Sequence, residues 1–254
     1  MRRTRKTLNL QNLFPDFHLM SFFHWQKHRM TLQDYKDTIA TVATIVTIVQ
    51  FLSGTDICRK IVKQGSTGEI SGFPFVGGVF STSMWLTYSW LLHDISMTVT
   101  NGVGFFLQFL YLAIYLRYCI SPGSWYSVRR QMIVLFGVAG VVLYYVLFSG
   151  VGVEEVKPKV GLMCCVASVI FCAAPLISLT EVFRTQCTEA LPFPLILATF
   201  IVTGLWWLYG LTIQNNFVQY PNLIGCGLSG FQLLLFTLYP SKRKGDMDGE
   251  LRQV

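Results

Sequence analysis

The sequence predicts an all-α membrane protein of seven transmembrane helices, arranged as two parallel three-helix repeats joined by a linker helix (3+1+3). Three observations predict it. The first is composition: 52% of the 254 residues are apolar or aromatic, only 13% are charged, and the mean hydropathy is positive. The charges gather in short clusters between long apolar runs, where a soluble chain would spread them over its surface. The second is a set of seven apolar runs, at about 35–53, 73–92, 96–117, 131–150, 159–179, 193–213 and 218–239. Each is close to the roughly 20 residues that a bilayer core requires. The third is self-similarity. Gly54 and Pro175, Trp85 and Trp206, Tyr88 and Tyr209, and Asn101 and Asn222 are each 121 positions apart (222 − 101). Asn101-Gly-Val-Gly104 and Asn222-Leu-Ile-Gly225 extend the match, which marks an internal duplication.

Residues 1–30 form an N-terminal extension. It opens with Arg2, Arg3, Arg5 and Lys6 and continues into a mixed aromatic patch, with no stretch long enough for a secretory signal. We read it as disordered or interfacial, with Met30 as a candidate start of the folded unit. Residues 31–120 then make the first three-helix repeat. Gly54 with Asp56 ends the first span, and His93-Asp94 separates the second from the third. Residues 121–155 hold the linker, introduced by Ser121-Pro-Gly123; its apolar core carries no ionisable residue and has no copy elsewhere. Residues 156–240 make the second repeat, with Gln214-Asn-Asn216 between its last two spans, and 241–254 form a basic tail.

The single unmatched span decides how the repeats are oriented. A three-helix unit finishes on the opposite side of the membrane from where it began, so two units fused directly would be inverted. One additional crossing restores the orientation. Charge then distinguishes the sides. Arg59, Lys60, Lys63, Arg117, Arg129, Arg130, Arg184, Lys242, Arg243, Lys244 and Arg252 all fall on one face, whereas the opposite loops offer only Lys157 and Lys159. The positive-inside rule places the first face and the C-terminus in the cytosol and the N-terminus outside. The basic N-terminal extension argues the other way, and the mutually consistent loops outweigh it. The net charge of +7 accordingly belongs to head groups and topology and does not point to nucleic acid.

No span has an ionisable residue near its centre, and such residues mark proton and ion paths. No Walker motif, Ser/His/Asp set or metal cluster is present, so the sequence predicts no catalytic residue, metal or cofactor. The seven cysteines include no CxxC pair, and they read as small apolar packing groups. Downhill transport remains. Asn101 and Asn222 are amides that need partners in hydrocarbon. Occupying equivalent places, they face one another across a pseudo-twofold axis and offer donors and acceptors to a neutral, hydroxyl-rich solute. Trp85 and Trp206 each precede an Asn by 16 positions and can present flat apolar walls. Tyr88 and Tyr209 lie toward the outer face, either as an outer gate or as interfacial aromatics. Pro74, Pro175 and Pro192 lie near cytosolic helix ends, where bends can act as hinges. Arg117-Tyr-Cys119 imitates a seven-helix receptor motif, but Leu116 stands where the acid should be, and the duplication is foreign to receptors.

From about Leu32 to Pro240 the chain resembles a SWEET sugar transporter of the MtN3/saliva type, as an animal member. The resemblance is carried by FLSGTDICRKI, STGEISGFPF, WLTYSWL, TNGVG, AAPLISL, TEALPFPL, WWLYG and YPNLIG in family order. SWEET carriers are themselves a standing example of the parallel-repeat arrangement. The resemblance implies bidirectional facilitated diffusion of mono- or disaccharides, by two bundles that rock about a central sugar site. It implies pocket residues at Asn101, Asn222 and Trp206, with Trp85 in the matching second-helix place. It also implies helix hinges at Pro74, Pro175 and Pro192, with Gly54 replacing the first proline. The implied partners are a sugar and a lipid bilayer, with a homo-oligomer compatible. The expected location is the plasma membrane, with Golgi or another endomembrane as the alternative. A proton-coupled carrier and a seven-helix receptor are the rival readings.

Overall fold

The structure, a computed structural model, describes residues 32–171, 173–189 and 191–240. The N-terminal extension, the Met30 start and the basic tail therefore lie outside the described residues. A 3-10 turn, Leu32–Tyr35, belongs with the N-terminal unit. From Lys36 the chain forms one compact unit of nine helical segments among the described residues. These are α1 (Lys36–Leu52), α2 (Gly54–Gln64), α3 (Phe73–Leu92), α4 (Ile95–Tyr118), α5 (Pro122–Phe148), α6 (Val153–Phe171), α7 (Ala173–Thr185), α8 (Phe193–Thr212) and α9 (Asn216–Leu238). Five helical stretches are long and apolar enough to cross a membrane by length and composition. The other two crossings, α3 and α6, fall short. The first carries the Ser, Thr, Trp and Tyr residues that face the interior, and the second opens on Glu154, Glu155, Lys157 and Pro158.

Two boundaries move relative to the sequence expectation. The first span does not end at Gly54. The chain tightens by a turn at Ser53, whose N–H reaches only to Gln50 O, and resumes at once as α2, so Arg59, Lys60 and Lys63 lie on a helix. The linker helix begins at Pro122, inside the 121–155 expected for the linker but ahead of the apolar run that starts near 131, because proline in a first turn forgoes no helical bond. Arg129 and Arg130 are thus helical as well.

Within each repeat the third helix lies between the other two. Thus α4 packs on α1 and α3, α9 packs on α6 and α8, and the linker α5 lies against α3. Between repeats, α1 meets α8 and α3 meets α6, so each first helix pairs with the other repeat's second. Backbone detail repeats with the same offset. Left-handed residues close helices at Gly65 (φ 63°) and Gln186 (φ 54°), and again at His93 (φ 55°) and Gln214 (φ 51°). Asp94 and Asn215 then cap α4 and α9, their side chains accepting from Met97 N and from Phe217 N and Val218 N.

The apolar core is one cluster at one end of the bundle and two at the other. At the Asp94 end, Ala43, Met84, Tyr88, Val160, Cys164, Trp206 and Tyr209 pack together across both repeats. At the basic end the repeats keep separate cores. Ile61, Val76, Tyr115 and Val128 serve the first, and Val182, Ile196 and Leu235 the second. The halves therefore share one core at the Asp94 end and keep separate cores at the basic end, where Gln50 Nε2 still donates to Thr199 Oγ1 and Phe73 meets Phe171 across the repeats.

The kink at Ser53 is held by Tyr111 of α4, whose hydroxyl donates to the Phe51 carbonyl and pairs with Thr55 Oγ1. Gly54 is where that ring comes closest, since a Cβ there would lie 2.5 Å from Tyr111 Cε2. Gly54→Ala is expected to destabilise the protein by about 1–3 kcal/mol through overpacking. Thermal unfolding of the detergent-solubilised protein checks this, and Tyr111→Leu in the same background should recover part of the loss.

Candidate functional site

Four side chains singled out in the sequence meet at one place. Trp85, Asn101, Trp206 and Asn222 line a cavity of about 110 Å³ together with Thr47, Thr100, Met97 and Val218. The cavity lies between the repeats, below the shared core. The two amides are held alike: Asn101 Nδ2 donates to Met97 O and Asn222 Nδ2 to Val218 O, both at 2.8 Å. Each bond reaches one turn back along its own helix, which satisfies one N–H without help from another segment. Each amide oxygen and a second N–H are left for whatever enters.

Both indoles are tied across the repeat boundary. Trp206 Nε1 donates to Thr47 Oγ1 at 2.9 Å, and Trp85 Nε1 donates to Ser168 Oγ at 3.3 Å. Toward the Asp94 end each indole meets a tyrosine edge-on, Trp85 with Tyr88 at 5.9 Å and Trp206 with Tyr209 at 5.5 Å between ring centroids. Both tyrosines are buried. Tyr88 shares two hydrogen bonds with the Asn215 amide (2.9 and 3.1 Å), and Tyr209 Oη donates to Asp94 Oδ2 at 2.6 Å. The second of these is charge-assisted and correspondingly short. Asp94 and Asn215 are themselves 121 positions apart. Three hydrogen bonds in two reciprocal pairs of residues therefore join the second helix of each repeat to the third-helix cap of the other. Gly161 gives Tyr88 its seat, because a Cβ there would lie under 3 Å from both Phe217 and Tyr88.

Toward the basic end the space widens. A second cavity of about 390 Å³ shares Trp85 and Asn222 with the first and runs between α3, α6, α8 and α9. Its polar lining is uncharged: Ser81, Ser168, Thr199, Thr203, Ser229 and Gln232. Of the four residues marked as hinges, Pro74 borders this wider cavity in the first turn of α3. Pro192 caps α8 from outside, and Pro175 is the third residue of α7. Gly54 lies at the Ser53 kink. Pro74 and Pro192 stand where a helix begins and interrupt no helical bond, while Gly54 admits Tyr111 closely.

Sequence reasoning missed Thr47, Ser168, Asp94 and Asn215. All four obey the 121 offset, as Thr with Ser and as Asp with Asn. Reading the repeat for equivalent chemistry as well as for identical residues would have found them. Among the described residues, no group of three or more His, Cys, Asp or Glu side chains stands together to hold a metal.

Comparison with known proteins agrees with this architecture. The family described as "Sugar efflux transporter for intercellular exchange", MtN3_slv, matches residues 37–123 and 158–244, once for each repeat. The chain is 39% identical over 206 residues to the sugar transporter SWEET1 of Drosophila pseudoobscura pseudoobscura, covering 81% of this chain and 90% of that protein. It is 32% identical to the SWEET1 sugar transporter of Xenopus laevis, over 75% of this chain and 87% of the relative. The bidirectional sugar transporter SWEET11 of Arabidopsis thaliana is 31% identical over 74% of this chain, which spans 65% of that longer protein. A solved eukaryotic SWEET transporter superposes with a TM-score of 0.74 at 23% identity, covering 81% of this chain and 97% of the other. Duplicated three-helix units, one unmatched linker and matching sequence in both halves have one explanation: the chain belongs to the MtN3/SWEET family of membrane sugar transporters and is not an enzyme.

Proposed function

We propose that this protein is a facilitative, bidirectional sugar carrier, a uniporter that moves mono- or disaccharides by alternating access. The observation that carries the reading is the twinned cavity, in which two amides and two indoles are brought together between the two repeats. Asn101 and Asn222 hydrogen-bond sugar hydroxyls. Trp85 and Trp206 stack on the apolar faces of the ring. Tyr88 and Tyr209 form the outer gate, and flexing belongs to the helix ends that carry Gly54, Pro74, Pro175 and Pro192. The units that rock are 31–120 and 156–240, with 121–155 as the linker.

The basic end is cytosolic and the Asp94 end external, from the clustering of Arg59, Lys60, Lys63, Arg117, Arg129, Arg130 and Arg184. The wider cavity then lies on the cytosolic side of the narrower one. The membrane we assign is the plasma membrane. Uniport is supported by the lining of both cavities, in which no titratable group stands among the described residues, since a coupled proton needs a site.

Uptake of radiolabelled hexose by cells that lack their own carriers tests the assignment. Asn101→Ala and Asn222→Ala should each lower uptake about tenfold or more at unchanged surface abundance, the cost of leaving sugar hydroxyls without a buried partner. Normal transport by both variants would remove these residues from the site. Uptake should also persist when the pH gradient is collapsed with an ionophore; loss of uptake would favour a proton-coupled carrier. The gate is tested separately. The double variant Tyr88→Phe, Tyr209→Phe loses its hydroxyl bonds and should open outward more often. A cysteine introduced beside the cavity, at Thr100, should then react faster with an impermeant maleimide added from outside.

A further inference from the structure

The hydroxyls behind the two indoles are matched in polarity as well as in position. An indole N–H can only donate. Thr47 Oγ1 gives its own proton to the Ala43 carbonyl at 2.6 Å, so its oxygen meets Trp206 as an acceptor. Thr47 and Trp206 are both buried, so bulk water competes little for their bond. Ser168 repeats the arrangement for Trp85 one repeat later, with the longer bond and beside the wider cavity. The two bonds cross the repeat boundary in opposite senses, α8 to α1 and α3 to α6, as the pseudo-twofold axis requires. Each then leads through an edge-on ring contact to a gate tyrosine.

We propose that Thr47 and Ser168 are positioning residues for the aromatic walls. Their hydroxyls fix the rotation of Trp206 and Trp85, so that ring faces and not N–H edges meet the sugar. The assignment rests on the sugar-carrier reading and deepens it. With both N–H groups engaged by the protein, the indoles offer the ligand only apolar surface. Sugar hydroxyls are then recognised by the two amides, and the C–H faces by the rings. Of the pair, Thr47 holds its indole more firmly, through a shorter bond in a drier place.

Thr47→Val keeps the volume and removes the acceptor. It should raise KM for hexose by about 2- to 12-fold, which is the about 0.5–1.5 kcal/mol of one neutral hydrogen bond, with Vmax and surface abundance unchanged. Thr47→Ser should restore KM, which a role in mere packing would not predict. A second measurement needs no sugar. Purified protein labelled with 5-fluorotryptophan gives a resonance assigned to Trp206 by its loss in Trp206→Phe. That resonance should shift or broaden in Thr47→Val and return in Thr47→Ser. An unmoved resonance, or an unchanged KM in Thr47→Val alongside impaired transport in Trp206→Ala, would overturn the proposal. A wild type that carries no sugar, while the Trp206 resonance still responds to Thr47→Val, would sink the carrier reading and leave the hydroxyl's hold on the indole standing.

Discussion

The pairing of each repeat's first helix with the other repeat's second is the constraint on which the molecule depends. Through α1 with α8 and α3 with α6, the halves share one apolar cluster at the Asp94 end and keep one each at the basic end. Side chains in a well-packed core resist continuous deformation, so the shared cluster holds the two halves firmly together at the Asp94 end. The central cavity sits where that cluster stops. Its walls therefore come from both units and must respond when their relation changes. A single continuous core would have left the same four residues in a sealed void.

Much of this was legible in the residue order. Each of the seven apolar runs falls on helix, five of them in stretches long and apolar enough to cross a membrane, and the fixed offset identified the partners Asn101 with Asn222 and Trp85 with Trp206, which the structure brings to one cavity. Composition could not place helix ends. Ser53 keeps helical backbone angles through the kink, so the chain carries α2 on beyond Gly54, and Pro122 extends α5 backward into a segment too polar to be read as membrane. Gly54 was read for flexibility alone. Its contact with Tyr111 depends on a residue 57 positions away (111 − 54), which no local pattern announces.

The polar ties behind the cavity were harder to see, for a physical reason. Thr47 and Ser168 are ordinary helix residues whose hydroxyls can satisfy themselves on the preceding turn, as Thr82, Thr87 and Ser229 do here. Only the approach of an indole from the other repeat gives Thr47 and Ser168 a further role. Asp94 and Asn215 were hidden differently. Each sits at a turn between helices, where a capping residue is expected and ordinarily needs no other explanation.

That double duty at the caps separates the tyrosine ties from the helices that carry them. Asp94 and Asn215 keep their backbone partners whether or not a tyrosine is docked on them, so withdrawing Tyr88 and Tyr209 leaves both helix starts intact. The latch can be undone without unwinding its frame. What must be given up is a few side-chain hydrogen bonds, each about 0.5–3 kcal/mol net depending on charge. Ties of that size lie within reach of ambient thermal motion, so they can part and re-form while both helix starts keep their shape.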